Sequence, residues 1–592
     1  MTSGIPRGKH WQIASRAPAE YFRELRSFSA LVAQVLYNRG LHDSAAVNRF
    51  VDASTPLADP YTLVGIREAV DLIREVVTER KPVVIYGDYD VDGVTAVAVL
   101  VETLRALGAI VTPYIPSRED EGYGLNPEAL YALSQGGARL LITVDCGMRS
   151  LDEVAYAREL GLAVIVTDHH RPGDRLPPAN IVINPKHPTN HDGLGELAGV
   201  GVAFELAQAL MLANRSAPLS TTQRELATDD LLDLVALGTV ADMVALVAEN
   251  HTLVARGLRK INAARRPGLS ALLEVAGIAP GRVTTKTIGF VLAPRLNAAG
   301  RLDEAMTALN LLLAPDMAPA LDWAKELDEL NLRRREMTQE AQDVATSLLT
   351  FCEARRDGEG AHRHRGWLDR DGDAPPLIFV ASDQLAPGIV GLAASRLLDE
   401  FYRPSVAVSI DGEFSKGSAR SIPEFHMIDA LDSVRDLLER YGGHAAAAGF
   451  TIRTDRLPEL EARLVSLARA RFGEGVLIPT LAVDAETSLS TLSEALYAEL
   501  ERLQPFGFGN PTPVFVSRRV AILDARAVGD GRHLKLALTD SNGRRWDAIA
   551  FRQGHWMGKL PAWIDLAYSL DLNEWNGRTN LQLNVQDIRP SE

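Results

Sequence analysis

The amino-acid sequence predicts a multidomain α/β protein. It should hold a mostly parallel sheet, a long connecting helix, a second, smaller α/β domain and a C-terminal β-barrel. Three observations predict this. Three short apolar strand patterns alternate with helical ones between residues 83 and 167, as in a parallel sheet covered by helices. Residues 304–353 read as one charged helical stretch. About 80 residues near the end hold five strand patterns separated by turn residues, enough for a barrel of OB type.

The elements follow in order. Residues 1–70 form an N-terminal segment of mostly helical pattern without a legible motif. VVIYG (83–87) is a β-branched strand, and Val94, Val97, Val101, Leu104 and Leu107 then recur at helical spacing, with Gly108 as the C′ glycine. LLITV (140–144) is the next strand. Ser150 and Glu153 have the spacing of a capping box, which would open a helix stopping at Gly161. AVIVT (163–167) is the third strand. The first domain is assigned to 71–310 and the connecting helix with a polar linker to 311–376. The second α/β domain is assigned to 377–475 and the barrel to 480–592. The barrel strands are VFVSRRVAIL, HLKLALTD, WDAIAF, IDLAYSLDLN and LQLNVQDI.

Composition narrows the function. The chain has 592 residues, 46% of them apolar and 23% charged, which suits large packed cores and excludes wholesale disorder. The net charge of −15 excludes a uniformly basic nucleic-acid coat but not a local basic groove. Cys146 and Cys352 cannot build a disulfide framework or an all-cysteine zinc site. The basic residues of MTSGIPRGKHWQ precede no apolar stretch, and no apolar run approaches the length of a membrane span. The expectation is a cytoplasmic protein with no membrane partner.

Chemistry concentrates at the strand ends. The first strand runs into Asp88-Tyr89-Asp90-Val91-Asp92-Gly93, the second into Asp145-Cys146-Gly147 and the third into Asp168-His169-His170. Open parallel sheets bind ligands beyond the carboxyl ends of their strands. Acids gathered there repel unless a cation sits among them, and carboxylates with imidazole suit Mn²⁺ or Mg²⁺. Leu237-Gly-Thr-Val-Ala-Asp242 adds a further acid. An EF-hand loop is excluded, because the twelfth position from Asp88 is Val99 rather than Glu. Asp168 could instead orient a histidine. No Walker A sequence is present.

These motifs together resemble the DHH phosphoesterase superfamily. SREDEGYGLN (117–126), AGVGVAF (198–204), ALGTVADMV (236–244) and APRLNAAGRLD (293–303) narrow the resemblance to RecJ-type single-stranded-DNA-specific exonucleases. KGSARSI (416–422), YGGHAAAAGF (441–450), PFGFGNPTPVF (505–515) and NEWNGRTNLQL (573–583) do the same. The resemblance implies a DHH catalytic domain, a DHHA1 domain and an OB-fold. It implies 5′→3′ degradation of single-stranded DNA to mononucleotides, in repair and recombination, with two Mn²⁺ or Mg²⁺ ions. The metal ligands it implies are Asp88, Asp90, Asp92, Asp145, His169 and Asp242, with Asp145 bridging. His170, Asp168 and Asp145 are the implied catalytic residues.

The implied substrate contacts are Arg118, Tyr123, Arg295, Arg301, Ser418, Arg420, His444, Lys535 and Trp575. Ser418 and Arg420 would form a 5′-phosphate pocket, since arginine grips phosphate bidentately. Tyr123 and Trp575 could stack on bases. The implied partners are single-stranded DNA with a 5′ end, a single-strand-binding protein and a helicase. The sequence departs from the family pattern at Leu385-Ala386, where Trp-His is usual, and at Ala419, where glycine is usual. The alternatives are a DHH-type oligoribonuclease or nucleotide phosphatase, a manganese pyrophosphatase, and a non-catalytic single-strand-binding relative. The length and the barrel favour a polymer substrate.

Overall fold

The computed structural model describes residues 8–117, 124–190, 195–219, 226–302, 305–350, 375–473, 477–540, 542–575 and 578–591. At 301–302, 348–350, 574–575 and 578 it describes the backbone alone. The chain divides into two compact units.

One unit comprises Ala17–Asn331 with Glu494–Thr512. Its sheet has five parallel strands in the order Val111–Tyr114, Val83–Gly87, Leu140–Val144, Ala163–Thr167, Ile181–Ile183. The three strands expected from the sequence have the bounds read there. Their register aligns Gly87 with Val144 and Val144 with Thr167. Asp88, Asp145 and Asp168 therefore leave adjacent strands at one edge. Two apolar clusters cover the two faces, one built from helices Val91–Ala106, Gly199–Ser216 and Leu232–Ala241, the other including Leu130 and Val154 from helices Pro127–Gln135 and Leu151–Glu159. Helix Val91–Ala106 is buried almost all round. It has no polar stripe because two helices and the sheet enclose it.

The helix ends test the sequence reading. Gly108 has φ +83° and its N–H donates to the Arg105 carbonyl, the expected left-handed stop. Ser150 does precede a helix, Leu151–Glu159, but its side chain makes no capping hydrogen bond, so the capping box does not form. The stretch 304–353 is also not one helix. Met306–Leu312 ends before Ala314-Pro315, and Met317–Thr350 begins anew, because proline lacks the N–H and disfavours helical backbone in the residue before it. The boundary between the units falls inside this second helix. Most of the expected polar linker lies outside the described residues.

The other unit comprises Met1–Arg16, Leu332–Ser493 and Pro513–Glu592. Its five-stranded mixed sheet runs Leu438–Gly443, Ala447–Arg453, Phe414–Arg420, Ser405–Asp411, Ile378–Ser382. The barrel strands are Phe515–Val528, His533–Thr539, Arg545–Ala550, Trp563–Trp575 and Arg578–Pro590. The barrel closes because Trp563–Trp575 pairs with both Phe515–Val528 and Arg578–Pro590, while Arg545–Ala550 pairs with Arg578–Pro590. Of the N-terminal segment, strand His10–Ile13 belongs to this unit and pairs in parallel with Thr480–Val483, whereas its helices, from Ala19–Glu24 onward, belong to the first unit. Trp11 anchors it through an indole N–H to Asp587 Oδ2 at 2.7 Å.

Candidate metal centre

Asp90 caps helix Val91–Ala106. Its Oδ1 accepts from the N–H groups of Asp92 at 2.9 Å and Gly93 at 3.1 Å. Asp92, in the first turn, points at the start of helix Gly199–Ser216. The Gly199 N–H donates to its Oδ2 at 2.6 Å and the Val200 N–H to its Oδ1 at 2.8 Å. A helix N-terminus holds an anion well, because its first N–H groups lack partners and carry the positive end of the dipole. Asp145 leaves its strand with φ +58°, a conformation costly for a residue with a Cβ. Asp242 is the C-cap residue of helix Leu232–Ala241.

These side chains meet at His169. Its Nε2 lies 3.1 Å from Asp145 Oδ1, 3.6 Å from Asp242 Oδ2 and 3.8 Å from Asp92 Oδ2. Three overlapping groups have ligand atoms within 4.8 Å of one another: Asp145, His169 and His170; Asp92, His169 and Asp242; Asp88, Asp90 and Asp145. Asp145 and His169 each belong to two of the groups.

Asp168 stands apart from these groups. Its Oδ1 accepts from the His169 N–H at 2.7 Å, the His170 N–H at 3.0 Å and His170 Nδ1 at 2.7 Å, and its Oδ2 accepts from the Met148 N–H at 2.9 Å. Burial opposes ionisation of Asp168, but His170 outweighs it and holds the carboxyl well below the usual range. Burial likewise opposes charging His170, and Asp168 outweighs it, raising the imidazole to about 9.

The other acids move the opposite way. Burial, then the charge of Asp90, pushes Asp92 up to about 7. Burial, then Asp92 and Asp90, pushes Asp242 up to about 8. Burial and four neighbouring carboxylates raise Asp145 well above its ordinary value. Like charges buried together favour protonation unless a cation joins them. Hard oxygen donors with one or two imidazoles suit Mn²⁺ and tolerate Mg²⁺. The donor set therefore fits divalent cations.

The remaining sequence-predicted residues are distributed as follows. Arg295 donates from Nε to Asp328 Oδ1 at 2.9 Å and from Nη1 to the Val291 carbonyl at 2.8 Å. Ser418 and Arg420 share strand Phe414–Arg420, and Arg420 Nη1 donates to Ser418 Oγ at 3.0 Å. Gly391, in the first turn of helix Val390–Phe401, faces both, since a Cβ there would lie 3.1 Å from Arg420 Nη2 and 3.2 Å from Ser418 Oγ. The His444 N–H donates to the Ala447 carbonyl in the turn after Leu438–Gly443. Lys535 stands beside Arg526 of the neighbouring barrel strand in the register. Ser418, Arg420, His444 and Lys535 belong to one unit, and the acid–histidine cluster and Arg295 to the other. Arg118, Tyr123 and the side chains of Arg301 and Trp575 lie outside the described residues. Leu385, at the family departure, is buried beside Ile389 and Val390.

Two residues not singled out in the sequence hold the histidine loop. Asn184 Nδ2 donates to the His170 carbonyl at 2.9 Å, and Lys186 Nζ donates to the His169 carbonyl at 2.7 Å. Asn184 also accepts from the Lys186 N–H at 2.7 Å. The sequence signal was faint: Asn184-Pro185-Lys186 simply follows the short strand Ile181–Ile183. Asn297 was also missed. Its Oδ1 accepts from the Val91 N–H at 3.0 Å and pins the loop between Asp90 and Asp92.

An acid–histidine centre at the carboxyl edge of a parallel sheet, followed by a second α/β domain, defines a DHH-type phosphoesterase. Family models match accordingly: the DHH family N-terminal domain over 82–239, the DHHA1 domain over 375–470 and the RecJ OB domain over 483–587. The chain belongs to the RecJ family. It is 37% identical over 568 residues to the single-stranded-DNA-specific exonuclease RecJ of Bacillus subtilis, covering 95% of this chain and 68% of that protein. The Escherichia coli protein of the same name is 36% identical over 574 residues, covering 95% and 96%. The crystal structure of RecJ from Thermus thermophilus in complex with Mn²⁺ superposes with a TM-score of 0.81 at 32% identity, covering 98% of this chain and 80% of that one. The corresponding Mg²⁺ complex gives 0.75 at 31% identity, covering 98% and 79%. Among the described residues no helix is long and apolar enough to cross a membrane.

Proposed function

We propose that the chain degrades single-stranded DNA from its 5′ end to mononucleotides, in repair and recombination, using two divalent cations. The broader activity, single-strand-specific exonuclease, goes with the family. The observation that carries the finer reading is the overlap of the three donor groups at Asp145 and His169. A carboxylate common to two groups suits a bridge between neighbouring cations. Asp88 and Asp90 would complete one side, and Asp92, His169 and Asp242 the other. Two bound cations supply an activated water and neutralise charge on the phosphodiester.

The chain's own residues do the rest. The Gly199 and Val200 N–H groups fix both oxygens of Asp92, so its orientation does not depend on the cation. Asp168 accepts from His170 Nδ1 and so fixes the orientation of the ring. That leaves His170 Nε2 as the atom assigned to a phosphate oxygen. Ser418 and Arg420 are assigned to the terminal 5′ phosphate, which would make the enzyme act from ends. Lys535, with Arg526 opposite it, is assigned to the strand further along. A single-strand-binding protein and a helicase are the partners this role implies.

The test is Mn²⁺-dependent digestion of single strands labelled at the 5′ or the 3′ end. Early release of the 5′ label as a mononucleotide is expected, with the 3′ label retained in shortening fragments. Early release of the 3′ label would overturn the polarity. Asp145→Ala should bind single strands but not cut them, and appreciable residual cutting would remove the bridging assignment.

A further inference from the structure

Among the described residues, the three most exposed large apolar side chains are Phe290 at 82%, Met243 at 72% and Phe508 at 64%. They are far apart in sequence, yet their segments are bonded together within one unit. The Leu246 N–H donates to the Phe508 carbonyl at 2.7 Å, tying the Met243 segment to the Phe508 turn. Thr285 Oγ1 donates to the Phe506 carbonyl at 2.5 Å, tying the Phe290 segment to the same turn.

The exposure is built in. Asn510 Nδ2 donates to the Leu503 and Pro505 carbonyls at 2.9 Å each, and Gly507 and Asn510 exchange backbone hydrogen bonds, so Phe508 sits at the tip of a pinned turn. Gly509 packs so closely that a Cβ there would lie 3.0 Å from Ala245 Cβ. Met243 has φ +58°, which costs free energy for a side chain with a Cβ. Phe290 lies in the π-helical stretch Ile288–Leu292, a distortion frequent at functional sites.

The group also adjoins the metal centre. Met243 follows Asp242, whose Oδ2 is 3.6 Å from His169 Nε2. Phe290 precedes by seven residues Asn297, which bonds the Val91 N–H between Asp90 and Asp92. The stretches Ile288–Leu292 and Ala293–Leu302 run on without a break, so Phe290 and Asn297 stand about two turns apart along one helical rod.

We propose that Met243, Phe290 and Phe508 form an apolar track on which bases of a single strand stack while its phosphodiester lies at the acid–histidine cluster. The proposal rests on the reading of that cluster as a phosphodiester-cutting centre. The occupant follows from continuity with the centre. Met243 is exposed and directly follows Asp242, so a protein held there permanently would crowd the cluster, whereas substrate bases cover it only during cutting. Base faces are flat and apolar, and phenylalanine stacks on them without regard to sequence. The methionine thioether suits contact with aromatic rings. None of the three can pair with phosphate, so they complement rather than duplicate the charged contacts.

The test uses the full chain with Mn²⁺ and a fluorescent 5′-phosphorylated oligodeoxynucleotide carrying hydrolysis-resistant phosphorothioate linkages. Phe290→Ala and Phe508→Ala should each weaken binding by roughly five- to 150-fold, the range for one lost stack. Phe290→Leu and Phe508→Leu, apolar but not flat, should fall between. Wild type should bind more weakly when one position near the 5′ end is abasic. Each alanine variant should lose that discrimination at one position, as expected for partners in a double-mutant cycle. Unchanged affinity in the alanine variants, or full affinity in the leucine variants, would overturn the track. Unchanged affinity together with lost self-association would overturn it in favour of an interface between copies. Cutting of the unmodified strand by wild type is measured separately. Its absence would refute the catalytic reading, whereas cutting with alanine variants that bind like wild type would refute the track alone.

Discussion

Gly199→Ala should damage the centre without unfolding the protein. Gly199 begins the helix whose N–H groups hold Asp92, and it also lies against Asp145. A Cβ at this position would come within 2.7 Å of Asp145 Cβ and 2.8 Å of its Cγ and Oδ1. Ordinary contact begins at 3.4 Å, so the carboxylate must retreat by about 0.6 Å. The contact includes Cβ, and Asp145 is held in left-handed backbone, so turning the carboxylate about its end does not relieve it. Helix propensity works the other way, favouring alanine over glycine by up to ~1 kcal/mol.

The two effects separate cleanly. Misplacement of a reacting geometry by ~1 Å costs roughly a hundredfold in rate, so about 0.6 Å should cost tenfold to a hundredfold. The stability of the metal-free protein in urea unfolding should fall by no more than ~2 kcal/mol, an overpacking cost of ~1–3 kcal/mol less the helix gain. The assays are Mn²⁺ affinity by calorimetry and the turnover of a 5′-labelled single strand at saturating Mn²⁺. A variant that keeps wild-type turnover and Mn²⁺ affinity would refute the crowding argument, and with it the placement of Asp145 at the heart of the site.

Three further outcomes are expected. Asn184→Ala removes the donor to the His170 carbonyl and should lower Mn²⁺ affinity or turnover roughly 10- to 100-fold, the usual effect of losing an outer support; an unchanged Mn²⁺ titration and rate would show that the loop holds itself. Arg420→Ala should cost ~1.5–3 kcal/mol of 5′-phosphate recognition, erasing most of the rate preference for 5′-phosphorylated over 5′-hydroxyl strands; a preserved ratio would move the 5′ pocket elsewhere. His251 stacks on Phe50 with ring centroids 3.9 Å apart, and burial, outweighing the Leu503 and Gln504 backbone, lowers it to about 4. The unfolded imidazole titrates near 6.5, so the unfolded chain takes the proton first. His251 should therefore remove stability as pH falls from about 6.5 to about 4, by ~3 kcal/mol in all. His251→Gln should flatten that part of the urea-stability profile, and equal slopes in both proteins would contradict it.

The parts of the fold legible in the sequence were those whose residues carry their own signal. Strands 83–87, 140–144 and 163–167 are buried on both faces, so they read as unbroken apolar runs. The acids after them are conspicuous because ionisable groups seldom follow buried strands without a purpose. The barrel strands were readable from alternation and turn glycines, including Gly529, Gly531 and Gly543, all at positive φ. Ser150 misled because Ser-x-x-Glu spacing is cheap to match, whereas the hydrogen bond needs a backbone that positions the hydroxyl. Here Ser150 has ψ 62° rather than an extended value. The break at Pro315 was also there to be read, and the run of helical charge around it concealed it.

What the sequence hid are contacts whose meaning lies in the partner. Asn184, Lys186 and Asn297 act on backbone carbonyls and an N–H, and Gly199 acts through the space it leaves empty. None differs in type from an ordinary turn residue, and only the fold brings them to the site. The segment Glu494–Thr512 hides for the same reason. It lies within the barrel's stretch of sequence, yet the Ser29 N–H donates to Glu499 at 2.8 Å and Arg39 donates to Asn510 at 3.2 Å, tying it to the catalytic unit. That arrangement gives the exposed Phe508 a meaning its position in the chain does not suggest. A turn borrowed from the far end of the sequence is fastened beside the residues that follow Asp242. The unit that carries the acid–histidine cluster is therefore incomplete without it, because loss of the turn would free the Leu246 N–H and the Thr285 hydroxyl.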